Sequence, residues 1–260
     1  VPAPPFDVVC EVQPATRPDL MAVRHQIGVL STVASAFLVP DNHLGRATVS
    51  SVAVAHEVDQ MGGRSIACLN ARDRNLLGFR RDLMTAAAYG VDEFLLVYGD
   101  RPSAGARTGE LTVRSMLEEL RRYAEAGAAD GVPPLRAAVT TRLAPLPPWK
   151  READAVFVQA SFELEALLAW RESVELGARV YAGVLVPPSA ARLRKWATDI
   201  PEISVPDSWV AALDRDPTVG VELACALVDR IRASGAFDGV HLVPGVRYRQ
   251  VAARLERRPG

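Results

Sequence analysis

Cysteine is scarce in this chain, and the three that occur, Cys10, Cys68 and Cys225, are far apart in apolar segments. An odd number at such spacing excludes a disulfide scaffold and reads as reduced core thiols of a cytoplasmic protein; no CxxC pair offers a metal site. The histidines, His25, His43, His56 and His241, show no metal-ligand spacing either, so no metal is expected. No GxGxxG follows a strand pattern and no GxxxxGK[ST] is present, which removes the dinucleotide fingerprint and the P-loop. An excess of charge of one sign is also missing. The formal net charge is −1 with both signs mixed along the chain, so no basic field points to nucleic acid. No apolar run approaches the length that spans a bilayer. The start, Val1-Pro2-Ala3-Pro4-Pro5, lacks the charged head and apolar centre of a signal peptide and reads as an extended arm over residues 1–6. These absences leave a cytoplasmic protein with a small-molecule partner, no nucleic acid and no membrane, as a monomer or small homo-oligomer.

What is present is a strict alternation. With 49% hydrophobic residues in 260, the chain can build one large core. Short apolar runs at 6–13, 36–40, 65–70, 93–98, 135–140, 155–159, 180–186 and 239–243 read as buried parallel strands. Between most of them helical spacing predicts helices over 16–30 (with Thr16 as cap), 48–61, 75–89, 111–126, 162–176, 190–197, 208–213 and 219–234, with a last helix over 247–256. Between strands five and six, Pro145, Pro147 and Pro148 leave little room for a helix. Eight strands alternating with helices predict a single-domain (β/α)8 barrel over 1–260, with an insertion at 200–219 before the last strand.

In such barrels chemistry sits at the C-terminal strand ends. Those positions collect Glu11, Asn42, Asn70, Asp100, Thr140, Gln159 and Arg247. Glu11 interrupts the apolar run Phe6-Asp7-Val8-Val9-Cys10-Glu11-Val12-Gln13-Pro14 near its end. A carboxyl buried there favours its protonated form, as a general acid requires, although from the residues alone a salt bridge with a neighbour is the more ordinary reading. The amides suit a flat heterocycle that presents both donors and acceptors. His241 lies inside an apolar strand and reads as a hydrogen-bonded core imidazole; His43 is a loop residue beside the mouth. The cluster Arg72-Asp73-Arg74-Asn75 reads as a helix-capping ion-pair network in preference to a phosphate site.

In order along the chain, these segments resemble the methylenetetrahydrofolate reductase family. Phe6 to Pro14 is similar to its first strand, whose glutamate is the proposed proton donor and maps onto Glu11. Phe37-Leu38-Val39-Pro40-Asp41-Asn42 is similar to a motif that usually reads Val-Thr-Asp-Asn, and Cys68-Leu69-Asn70-Ala71-Arg72-Asp73-Arg74-Asn75 to His-Leu-Thr-Cys-Arg-Asp-Arg-Asn. Leu96-Val97-Tyr98-Gly99-Asp100-Arg101-Pro102 resembles the Gly-Asp motif that faces the pterin, and Val156-Phe157-Val158-Gln159 the Thr-Gln strand that binds it. Gly183-Val184-Leu185-Val186-Pro187 and Gly239-Val240-His241-Leu242 resemble the seventh and closing strands.

The resemblance implies reduction of 5,10-methylenetetrahydrofolate to 5-methyltetrahydrofolate. Glu11 would be the general acid and Asp100 the charge that stabilises the iminium. Gln159, Asn42, Asn70 and Arg247 would bind substrate, and Thr140 and Gly183 the hydride donor, NADH or NADPH. The departures concern flavin. Pro40 and Cys68 replace the threonine and histidine with which the family holds FAD, Val243 replaces an aromatic residue, and residues 141–154 offer Lys150 and Arg151 as cations. A flavin pyrophosphate needs backbone donors and positive charge, so bound FAD is not expected and the chain resembles the flavin-independent branch. An FAD- or deazaflavin-dependent reductase and a non-catalytic folate-binding subunit remain the alternatives.

Overall fold

The computed structural model describes residues 5–13, 15–101, 103–128, 133–200 and 203–257. Most of the N-terminal arm, Pro14 at the end of the first strand, Pro102 of the Gly-Asp motif and two residues of the insertion lie outside them. The strands are β1 (Asp7–Glu11), β2 (Ala36–Val39), β3 (Ser65–Asn70), β4 (Glu93–Val97), β5 (Arg136–Thr141), β6 (Ala155–Val158), β7 (Arg179–Leu185) and β8 (Gly239–Val243). They form a closed barrel in sequence order, every pair parallel, with β8 returning to β1 through Asp7↔Gly239 to Cys10↔Leu242. The (β/α)8 barrel expected from the alternation is the observed fold.

The helices are α1 (Met21–Leu30), α2 (Ser51–Gln60), α3 (Leu76–Tyr89), α4 (Val113–Gly127), α5 (Leu164–Glu172), α6 (Ala190–Asp199), α7 (Asp207–Arg215), α8 (Gly220–Ser234) and α9 (Tyr248–Glu256). Between β5 and β6 only a 3-10 turn, Pro148–Glu152, is formed, as the prolines there require. Two helix starts differ from expectation. The first begins at Met21 and not at Thr16, because Pro18 disfavours a helical Arg17; Asp19 closes a tight turn onto Arg17 O at 2.7 Å and accepts the Met21 N–H at 2.8 Å. The second begins at Ser51 because Thr48 is used by the loop before it, exchanging bonds with Asn42 at 3.2 and 3.3 Å.

Period-two alternation divides the strand residues. Val8, Cys10, Phe37, Val39, Ala67, Leu69, Phe94 and Leu96 pack outward against the helices. Val9, Ala36, Leu38, Ile66, Cys68, Leu95, Ala138, Phe157 and Tyr181 fill the barrel interior. All three cysteines are buried thiols. Among the described residues no helix is long and apolar enough to cross a membrane, and no group of three or more His, Cys, Asp or Glu could hold a metal ion.

The N-terminal ends of the strands are closed by charge. Asp7 accepts from Arg64 at 2.8 Å and from the Tyr181 hydroxyl at 3.1 Å, and Arg179 approaches it at 3.0 Å. Glu93 is held by Arg64 at 3.2 Å and Arg136 at 2.8 Å. In the active-site logic of this architecture, polar residues at this end serve stability. The Tyr181 phenol is pushed up to about 12, first by burial and then by the Asp7 charge. Its folded-state pKa is thus above the ordinary 10, so the folded state keeps a proton that the unfolded state releases. Stability should be intact below about pH 10 and fall by about 1.4 kcal/mol per pH unit between about 10 and 12 from this group alone. Urea unfolding at stepped alkaline pH should show a shallower decline for Tyr181→Phe than for the native chain; equal slopes would assign the loss to other groups.

Candidate active site

At the opposite end, the inward-facing residues that follow the apolar layers become polar. Glu11 ends β1, Thr140 lies in β5, Gln159 follows β6, Gly183 lies in β7 and His241 in β8. They line a cavity of about 500 Å³, together with the apolar walls Leu95, Phe157, Val158 and Leu185. That volume is within the roughly 300–1,000 Å³ range of small-molecule sites. His43 from the β2 loop and Ile203 from the insertion also line it.

Glu11 is 16% exposed through its side chain, and its Oε2 lies 3.2 Å from Nε2 of His241. The expectation of a hydrogen-bonded core imidazole is corrected here. His241 is in the cavity wall, its ring edge-on to Phe157 at 5.6 Å, and its Nε2 is buried with no hydrogen-bond partner among the described residues. A histidine placed between Val240 and Leu242 gives no sequence signal of this; only the strand's inward parity could have found it. Beneath Glu11, Cys68 is pushed well above the ordinary thiol range by burial and then by the Glu11 charge, so it remains a neutral thiol.

Gln159 is anchored through its backbone, its N–H donating to Thr141 O at 2.8 Å. On the same side Lys150 donates to Thr140 O at 2.7 Å. Burial, and secondly the Arg142 charge, hold Lys150 below the usual ammonium range. Arg142 lines the cavity as well, a cation that reading the loop as offering Lys150 and Arg151 overlooked. Arg151 turns away to Glu175 O at 2.7 Å.

Asn42, Asn70, Asp100 and Arg247, expected at the site, do not line this cavity. Asn70 is fully buried; its amide donates to Asp41 at 2.6 Å and accepts the Asp73 N–H at 2.9 Å. Asn42 adopts a left-handed conformation (φ 46°) and donates to Asp73 at 3.0 Å. Both amides are used to tie the β2 and β3 loops together. Arg74 joins them, paired with Asp41 and, at 2.8 Å, with Asp82. Asn75 caps α3 by accepting the Gly78 N–H at 2.8 Å, so the Arg72–Asn75 cluster is the capping and ion-pair network its sequence suggested. Asp100 is exposed and accepts the Leu44 N–H at 2.8 Å. That bond stitches the β4 loop to the β2 loop, beside His43. Arg247 reaches Pro188 O at 3.4 Å and links the loops after β7 and β8.

Gly183 matters by what it lacks. A Cβ there would lie 2.6 Å from Val158 O and 2.7 Å from Ala160 N, inside van der Waals contact with the backbone on both sides of Gln159. Gly183→Ala should therefore cost about 1–3 kcal/mol as an overpacked site, read as a lower urea midpoint with unchanged m. Native stability in this variant would mean that the β6–β7 contact is loose.

No protein-family model matches this chain, and no curated protein matches it in sequence. Solved structures do. A Clostridium thermocellum protein that binds two copies of 5-methyl-5,6,7,8-tetrahydrofolic acid is 12% identical, with a TM-score of 0.63 over 98% of this chain and 95% of that one. A Rhizomucor miehei β-1,3-glucanosyltransferase is 10% identical, TM-score 0.52, over 92% of this chain and 86% of that one. A 2,3-dimethylmalate lyase is 12% identical, TM-score 0.51, over 98% and 82%. At such identities the likeness is one of fold.

Proposed function

We propose that this barrel binds a reduced folate at its C-terminal mouth and reduces 5,10-methylenetetrahydrofolate to 5-methyltetrahydrofolate with NADH or NADPH, without a bound flavin. The observation that carries the reading is the Glu11 carboxyl, the one acidic group among the described residues that line the cavity, facing basic (Arg142, Lys150), imidazole (His43, His241) and amide (Gln159) groups and apolar walls. The fold shared with the Clostridium thermocellum protein supports it, since that protein binds the methylated folate that this reaction would form.

The closed imidazolidine ring of the substrate resists hydride attack until N10 takes a proton. Glu11 donates that proton, the carbon–N10 bond breaks with its electron pair going to nitrogen, and an N5-iminium is left. NAD(P)H supplies the hydride that converts it to the methyl group. Gln159 offers a donor and an acceptor to the pterin edge, and the walls of Leu95, Phe157 and Leu185 exclude water from the reacting centre. Asp100, exposed and outside the cavity lining, contributes by fixing the loop that carries His43. Thr140 and Gly183 bound the space for the nicotinamide. Asn42, Asn70 and Arg247 hold the loops in register.

The same site is poorly furnished for a flavin pyrophosphate. Pro40 gives no backbone donor, and Lys150 and Arg151 bond to the carbonyls of Thr140 and Glu175, which leaves Arg142 as the lining cation that a pyrophosphate would have to use. A flavin- or deazaflavin-dependent reductase and a binding subunit are separated from this reading by one set of assays. The freshly purified protein should be colourless and should oxidise NADH or NADPH in step with methyl product. Yellow protein, or activity only with added flavin or deazaflavin, would move the reading to a flavoenzyme, and no oxidation with any donor to a folate-binding subunit. Glu11→Gln should lose roughly 10²–10⁴-fold in turnover, the usual contribution of a general acid, while 5-methyltetrahydrofolate binding persists. Near-native turnover would remove Glu11 from the acid role.

A further inference from the structure

We propose that His241 is the positioning partner of Glu11, its Nε2–H holding one carboxyl oxygen so that the donated proton resides on the other. The inference rests on the reductase reading above for its catalytic meaning, but the pairing itself is independent of it. Nε2 lies 3.2 Å from Glu11 Oε2, and both side chains are 16% exposed. A buried ring nitrogen with no hydrogen-bond partner among the described residues costs free energy unless it gains one, and Glu11 is the acceptor within reach. The contact is short but not aligned as a hydrogen bond; catalytic contacts of this kind commonly tighten only around bound substrate.

The barrel enforces the pairing. His241 is in register with Val9 of β1 on one side and with Gly183 of β7 on the other. Glu11, two residues beyond Val9, faces the same interior. Gly183 has no side chain to compete for the space, and Phe157 supports the ring edge-on. Cys68, a thiol beside Glu11 that burial pushes well above its ordinary range, stays neutral and adds no charge there.

In the acid step Glu11 gives up the proton on Oε1 and N10 receives it. The carboxylate left behind lines the cavity with the apolar Leu95, Phe157 and Leu185, where a charge without a partner is costly. The Nε2–H donating to Oε2 stabilises it until a solvent proton restores the acid. Fixing Oε2 also fixes the direction of the Oε1 proton, so His241 acts on the rate and not on folate affinity.

The test combines two readouts on the full chain. With ¹⁵N-histidine labelling, the Nε2–H proton of His241 (assigned by its absence in His241→Asn) should appear downfield in the native protein and move upfield in Glu11→Gln. An Nε2–H signal that is the same in both would overturn the pairing. In the second readout, His241→Phe should lower kcat by about 10–100-fold, less than the ~10²–10⁴ of the acid itself, with the 5-methyltetrahydrofolate Kd within about twofold. His241→Asn, whose amide can still donate, should recover part of that loss. A native rate in His241→Phe would overturn the positioning role. A native chain that oxidises no NAD(P)H would defeat the reductase reading, and the NMR comparison would still decide the pairing.

Discussion

Closure of the sheet is the constraint on which the rest depends. When β8 pairs with β1, no strand has a free edge and every strand has an inside and an outside. The seam is tight: a Cβ on Gly239 would lie 2.4 Å from Asp7 O, so the closing strand must begin with glycine for the register to hold. Once that register is set, Asp7, Val9 and Glu11 have no choice but to point inward together. The apolar residue between the two carboxylates fills the core, and the carboxylates are delivered to opposite ends of the packed barrel interior.

Those two ends then differ by their partners. Asp7 meets Arg64, Arg179 and Tyr181, a set that matches its charge and uses its lone pairs. Such a network closes the barrel floor. Glu11 has the His241 imidazole 3.2 Å away and the buried Cys68 thiol beside it, and it lines an open cavity. Between them Phe157 stacks on Tyr181 at 4.7 Å and meets His241 edge-on, so an aromatic column links the sealed end to the open one. The same residue type on the same strand is structural at one end and chemically available at the other because of what the neighbouring strands bring to it.

The loops show a related division of labour. The loops after β2, β3 and β4 bind one another through Asp41, Asn42, Asn70, Asp73, Arg74 and Asp100. Buried amides and charges must be satisfied, and here they satisfy each other, which makes that half of the mouth a rigid rim. The cavity opens on the side of the loops after β5, β6 and β7, which supply Arg142, Lys150, Gln159 and Ile203 to its lining.

The sequence by itself determined the architecture. Eight apolar runs of strand length, stopped by glycine, proline or a polar residue and alternating with helical spacing, have one economical solution, and that is the barrel observed. It also placed Glu11, Thr140 and Gln159 at the strand ends, since period-two parity and strand termination are local properties. Tertiary structure decided the rest. Whether an amide such as Asn70 faces a ligand or a neighbouring loop depends on which side chain stands opposite, and Asp41 is 29 positions away in the chain. Whether His241 is core or site depends on the register of β8 against β1, which joins residues from the two ends of the molecule. Local pattern sets which face of a strand a residue occupies; only closure of the barrel sets what it meets there.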